Sequence, residues 1–535
     1  MPVRIDRRAS SPALTALTAT ALGAVVALMA ASAAAQPVPA PPDSATDAPP
    51  PEKPKAPLDA PAATPAAEPP KVEPPKPAPA EVVKPPPAPE APKPPPQSGF
   101  AFGSYGRMIA GTDFKGAPGR NADVVAHGSR LDEANYVELE LRRDDYWQKT
   151  DSTTRLVATL AVANPIFHYN GDFNVKMAIR NLYIEERDLG IKDLSVWAGS
   201  RMYRGDDIYL LDFWPLDNLN TMGAGARYDI QKTTFVALHA GFNEPNTPFY
   251  LQQVDRPSPL NQLGSTGVNV LDRQRFIGSA KLSHIIPVGN GGIKGVLYAE
   301  AHQLSAGQRE TQPRVFETLP ADGGYVLGAQ IGAYTGERAG HVNLFFRYAH
   351  GLAAYGDFAT PSQLGADNTA AGAHELVLAL GGNWEAGPFG LMAGAYLRSF
   401  RNASPGLDFG DVDEGIFAIR PNIFFGEIGG LAIEGSYQAQ QHGVVTQADA
   451  ADGQPASTSG PFSAGLWRLG VMPFISPAGR GDFSRPQFRV IYVLTSRNKG
   501  AQALYPVDDV YSLRSIEHFF GIGAEWWFNS SSYSR

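Results

Sequence analysis

The sequence predicts an all-β protein: a transmembrane antiparallel β-barrel of about 18 strands. Three observations predict it. Short runs of period-two alternation recur over more than 400 residues, separated by turn residues. After the N-terminal leader no segment offers the ~20 consecutive apolar residues of a spanning helix. The run Phe519–Phe528 is dense in aromatics, as at a membrane interface.

Residues 1–35 read as a secretory signal peptide. Arg4, Arg7 and Arg8 give a basic start, an apolar run follows from Leu14 to Leu28, and Ala33-Ala34-Ala35 precede Gln36. Residues 36–98 read as a Pro/Ala-rich disordered periplasmic spacer. Proline donates no ladder hydrogen bond and disfavours helix, and the tract has little to bury. In polyproline II, at ~3.1 Å per residue, it forms a long semi-rigid spacer. It is either a passive tether or an arm that touches the cell wall. With no cysteine in the chain, disulfides, thiolate metal sites and a lipid-modified cysteine are excluded. A net charge of -8 argues against a nucleic-acid partner.

Residues 99–528 are the predicted barrel, and 529–535 a short C-terminal tail. Tyr136, Glu138, Glu140 and Arg142 share one strand face, and Val137, Leu139 and Leu141 the other. Lys294, Tyr298, Glu300 and His302 oppose Gly295, Leu297, Ala299 and Ala301. Val342, Leu344, Phe346 and Tyr348 oppose Asn343, Phe345 and Arg347. Leu431, Ile433 and Tyr437 oppose Glu434, Ser436 and Gln438, and Phe488, Val490, Tyr492 and Leu494 oppose Gln487 and Arg489. Barrels in membranes alternate apolar-out with polar-in and close every strand edge. Roughly 16 to 18 strands leave an aqueous channel. Arg401–Glu414 and Gln440–Pro461 read as extracellular loops.

The stretch Val196–Trp214 carries the functional signal. It begins as a strand in which Trp197 and Arg201 share the face opposite Val196, Ala198 and Met202. It continues as a loop mixing carboxylates, arginine and large aromatics. Flat aromatic faces beside hydrogen-bonding groups suit a sugar ring, with its apolar C–H faces and hydroxyl rim. The ten histidines are scattered without a catalytic signature. Asp206, Asp207 and Asp212 read as hydroxyl-binding rims or loop salt bridges rather than a metal or acid–base pair. The chain is therefore expected to be no enzyme and to need no cofactor or metal.

Four segments resemble the maltoporin family of carbohydrate-specific outer-membrane porins. They are Gly103–Arg107, Arg130–Leu131 with Tyr136–Leu141, Trp197–Trp214 with Gly223–Gly225, and Ser484–Val490 with Gly523–Phe528. The resemblance implies that the Trp197–Trp214 loop folds inward as a constriction, and it places Tyr105, Tyr136 and Trp527 on that family's aromatic slide and Trp214 at the constriction. It places Arg107, Arg130, Glu138, Arg180, Asp207 and Asp212 on the polar tracks. Gly205 stands where the family has a constriction arginine, for which Arg204 is the substitute; Tyr209 replaces a histidine. The mid-barrel slide aromatics have no secure match in the sequence; Tyr325 and Phe417 are the candidates there. The family's first-loop disulfide is absent. The resemblance implies a homotrimer in the outer membrane of a Gram-negative bacterium, in contact with outer-membrane lipid and lipopolysaccharide. It also implies passive diffusion of maltodextrin-like or other oligosaccharides. The alternative is a general diffusion porin with weak ion preference.

Overall fold

The computed structural model describes residues 98–530, apart from 118, 120–122, 164–174, 259–263, 337–339, 405–409, 443–444, 448–456 and 460–461. The expected signal peptide, all of the spacer but Ser98, and tail residues 531–535 lie outside the described residues.

Eighteen strands form one sheet. The first six are β1 Gly99–Thr112, β2 Tyr136–Trp147, β3 Ser152–Ala163, β4 Lys176–Arg187, β5 Leu194–Arg204 and β6 Asn218–Gln231. The next six are β7 Thr234–Asn243, β8 Arg275–Val288, β9 Gly291–Leu304, β10 Asp322–Thr335, β11 Gly340–Gly351 and β12 His374–Ala386. The last six are β13 Phe389–Arg401, β14 Val412–Phe425, β15 Gly429–His442, β16 Phe462–Ile475, β17 Gln487–Arg497 and β18 Ile516–Phe528. Each pairs antiparallel with its neighbour in sequence, and β18 returns to β1, setting Trp527 opposite Tyr105 and Glu525 opposite Arg107. No strand edge is left open, which is what a lipid environment requires. No described helix is long and apolar enough to cross a membrane.

Side-chain alternation explains the wall. Leu139 and Leu141 are exposed outward, whereas Glu138 and Glu140 are each 1% exposed, on the lumen side. Phe100, Trp147, Trp384, Phe389, Phe425 and Phe488 are exposed at strand ends along one rim, as an aromatic girdle requires. At that rim most connections are brief, such as 232–233, 289–290 and 387–388; the 476–486 turn is the long exception. The opposite rim carries the long connections, including 113–135, 205–217, 244–274 and 352–373. This asymmetry is that of periplasmic turns and extracellular loops. The two loops read from sequence are shorter than expected, because Val412–Glu414 and Gln440–His442 lie in β14 and β15.

The main apolar core lies inside the barrel. Val124 and Val125 of the first loop (113–135) and Ile208, Leu210, Leu211, Phe213 and Leu216 of the third loop (205–217) pack on lumen-facing Tyr298, Phe345, Met392, Tyr396 and Ile416. Each fully buried Leu, Ile or Phe contributes ~1.5–3 kcal/mol. Wall glycines allow the approach: a Cβ at Gly394 would stand 2.8 Å from Ile208 Cγ2.

Candidate functional site

The β1–β18 seam and β2 assemble a cluster on the lumenal wall. The Tyr105 and Trp527 rings stack at 6.5 Å and 15°, and Tyr136 lies 6.0 Å from Tyr105. Guanidinium groups cover these faces. Arg107 sits 5.4 Å and Arg180 5.7 Å from the Tyr136 centroid. Arg107 also donates to the Tyr105 hydroxyl at 2.9 Å. Arg180 donates to the Tyr136 hydroxyl and pairs with Glu138 at 3.1 Å. A register shift puts Arg180 there: Thr159 pairs with Asn181 and Leu160 with Ile179, so Arg180 is the extra residue of a bulge.

The first and third loops close over this cluster from one side. Arg130 Nη2 donates to the Tyr105 hydroxyl at 2.5 Å and to Glu525 at 3.3 Å. Arg130 also pairs with Glu133 at 3.2 Å and Asp212 at 3.6 Å, and its guanidinium lies 4.6 Å over the Tyr209 ring. Tyr209 opens a single 3-10 turn, Tyr209–Leu211, which Asp212 ends at φ 47°, ψ 44°. That left-handed conformation is one that Asp tolerates better than most residues. Tyr209 donates to Glu525 at 2.7 Å and meets Trp527 edge-on at 6.0 Å.

From the other rim the 476–486 turn reaches in. Arg485 donates to Glu525 at 2.6 Å and stands 4.3 Å over Trp527; Phe483 meets the Tyr209 ring at 5.6 Å. Arg489 of β17 pairs with the same Glu525. The result is a seal: Tyr105 and Glu525 are each 1% exposed, and Tyr209, Arg130 and Arg485 are buried. Burial shifts the loop acids and base. It pushes Glu133 up to about 7, with Asp212 adding to the rise against Arg130 and Arg107. Burial also opposes ionisation of Asp212, but Arg130, Arg107 and Arg204 overcome it and hold that carboxyl low. His127 of the first loop is pulled down to about 4 by burial, then by Arg398.

At the root of the third loop, the Arg204 guanidinium lies flat over half-buried Trp214 at 3.8 Å and donates to Asn218 at 2.6 Å. Gly205 has a steric reason to be glycine, since a Cβ there would stand 2.0 Å from Asp217 Oδ1. Asp217 pairs with Lys281 of β8, and Asp206 with Lys294 of β9 at 2.7 Å. These two pairs moor the loop to the far wall.

Of the residues singled out in the sequence, Tyr105, Tyr136, Trp527, Arg107, Arg130, Glu138, Arg180, Tyr209 and Asp212 gather in the seam cluster. Arg204 and Trp214 form a separate pair, and Asp207 is half-buried in the loop beside them. Tyr325 and Phe417 do not reach the lumen. They are 41% and 39% exposed on the outward face, because lumen-facing Val326 and Ile416 fix the alternation one residue away. Asp206, read from sequence as a rim or a loop salt bridge, pairs with Lys294; sequence reasoning missed the 476–486 turn with Phe483 and Arg485, and the rings Tyr183, Tyr203 and His239 around Trp197. The length of that turn beside two- and three-residue neighbours was the available signal for it.

One described group, Glu300, His302 and Asp357, has metal-ligand geometry. Both His302 nitrogens are engaged, Nε2 with Glu300 at 2.7 Å and Nδ1 with Arg275 at 3.0 Å, so it reads as a polar network.

A closed 18-stranded barrel with an apolar outer wall, a charged lumen and loops folded inward defines an outer-membrane porin, a diffusion channel of the Gram-negative cell surface. Residues 100–528 match the LamB porin model, and the chain belongs to that family. No curated protein matches the chain. Among solved structures, an anion-selective porin from Comamonas acidovorans is 10% identical, covering 81% of this chain and 100% of its own, with TM-score 0.36. OpdK from Pseudomonas aeruginosa is 9% identical over 81% of this chain and 99% of its own, with TM-score 0.37. OccAB1 from Acinetobacter baumannii is 9% identical over 81% and 96%, with TM-score 0.38.

Proposed function

We propose that this porin is selective for carbohydrates and passes short oligosaccharides by passive diffusion. The observation that carries the reading is Trp214. It is a large ring in a loop held across the lumen, half-exposed, with a guanidinium 3.8 Å over one face. A pore that only sorted ions would gain nothing from aromatics facing water. Each ring–sugar stack contributes ~0.5–1.5 kcal/mol by analogy with aromatic pairs. Weak sites in series let a solute enter and leave. The proposal extends to a homotrimer in contact with lipopolysaccharide, exported by the N-terminal signal. In it the Pro-rich spacer lies in the periplasm, as a passive tether or as an arm that touches the cell wall.

The test is single-channel current in planar bilayers with maltose-series sugars, sucrose and other oligosaccharides. Saturable block is expected, and Trp214→Ala weakens it ~2–10-fold while changing ion conductance less. If no oligosaccharide blocks the current, the protein is a general diffusion pore. Equal block in wild type and variant removes Trp214 from the constriction.

A further inference from the structure

Two observations sit together awkwardly unless the solute takes a second route. The seam wall is crowded: Tyr105 and Glu525 are 1% exposed, and Tyr209 and Arg485 are seated on half-buried Trp527. Elsewhere in the lumen a cavity of about 480 Å³ lies open beneath the third loop. It runs from Arg204 at the loop's root to Asp188 and Asp193 at the turn rim, against the inner faces of β4 to β8. Its volume falls within the ~300–1,000 Å³ usual for small-molecule sites.

We propose that the solute bypasses the seam and binds in this cavity, where Trp197, Tyr203 and Arg201 hold a short, neutral carbohydrate. The proposal rests on the carbohydrate reading above. Trp197 lies flat on the wall because β6 offers Gly225 opposite it; a Cβ there would stand 2.5 Å from the indole nitrogen. Tyr203 stacks on Trp197 at 6.4 Å, and Tyr183 meets it edge-on at 6.2 Å. Arg201 bridges both strands, 4.5 Å over Tyr183 and 5.2 Å over Trp197. It also pairs with Glu185 at 2.8 Å. Trp197 is only 5% exposed under this cover, so Arg201 is the group a sugar displaces from the ring faces, and with Glu185 it exchanges hydrogen bonds with hydroxyls.

Charge argues for a neutral ligand. Arg227 is matched by Asp229 at 2.6 Å, Arg187 by Glu185, and Lys281 by Asp217. Glu185 serves both Arg187 and Arg201, and a charged solute would break these pairs where a polyol only joins them. Continuity argues for a route. Trp214 touches Arg204, Arg204 lines the cavity, and Tyr203 and Trp197 follow down β5 toward the turn rim.

The experiment is bilayer current block by maltotriose and by sucrose in wild type, Tyr203→Ala, Trp197→Ala and Trp527→Ala. A sugar that blocks wild type is expected to lose about three- to tenfold in affinity in the first two variants and under about twofold in Trp527→Ala. The reverse pattern overturns this inference and leaves the carbohydrate reading standing. If no sugar blocks wild type, the carbohydrate reading fails first and this inference with it. Trp197→Ala removes a tightly packed ring, so an independent measurement accompanies it. The chain has no cysteine, and Ser195→Cys places one thiol on the cavity lining. The blocking sugar is expected to slow modification of that thiol by a polar thiol reagent; an unchanged rate overturns the proposal.

Discussion

Glu525→Gln tests the seal with the least change in shape. Glu525 accepts from Tyr209 and pairs with Arg130, Arg485 and Arg489. Arg130 keeps Glu133 and Asp212 when the charge is lost. Arg485 and Arg489 have no other ion-pair partner among the described residues. Removing one partner of a buried pair costs ~3–5 kcal/mol. Two charge-assisted hydrogen bonds at ~1.5–3 kcal/mol each give ~3–6 kcal/mol, an overlapping range. The barrel ladders are untouched, so the loss falls on the contacts of Tyr209 and the 476–486 turn with the wall. At ~1.4 kcal/mol per tenfold, their docked population shifts by ~10²–10⁴. Single-channel recording of wild type and Glu525→Gln is the assay. The variant is expected to conduct more, with excess noise from the freed loop. Identical conductance and noise would refute the claim that this carboxylate holds the seal.

Three further expectations concern the loops and the wall. Gly205→Ala forces Asp217 from Lys281 and is expected to cost ~1–3 kcal/mol in denaturant unfolding; an unchanged midpoint counts against the steric account. Tyr325→Ala and Phe417→Ala, on the outward face, are expected to leave sugar block within about twofold of wild type. A larger loss in either would place that ring in the pore. Glu133 is raised by burial from 4.5 to about 7, so its contribution to docking the first loop is complete below pH 4.5 and is lost as pH rises through about 7. His127, lowered from 6.5 to about 4, contributes above pH 6.5 and loses that contribution as pH falls through about 4. Current noise is therefore expected to rise on the alkaline side in wild type, and Glu133→Gln to abolish that limb; a limb unchanged in the variant assigns it to another group.

The wall was legible because period two is a local signal. Glu138 against Leu139, or Gln487 against Phe488, states its face within two positions, and 18 such strands must close. The seam cluster was partly legible for the same reason, as Trp527 follows Glu525 by two. What fills the lumen was not. Asp123 reaches Arg468 and Tyr209 reaches Glu525 across more than 300 positions, and no periodicity encodes such contacts. The Arg180 bulge breaks the alternation that made the rest readable. Tyr325 and Phe417 failed because residue type was weighed without fixing which neighbour faced inward. Trp197 was placed on the correct face, but Tyr203 and His239, which stack with it, sit on either side of the third loop in sequence.

The closure of β18 on β1 has a consequence for assembly. Tyr105 and Arg107 lie in the first strand of the ring, Trp527 and Glu525 in the last, and all four become neighbours only in the final pairing. Until then, Arg130, in the loop after β1, lacks the carboxylate that Arg485 and Arg489 already meet across the β17–β18 pair. The complete ring and the complete ion cluster that docks the loops therefore form in a single event. An unclosed barrel carries neither, and the lumen's charge balance is itself a record that the wall is complete.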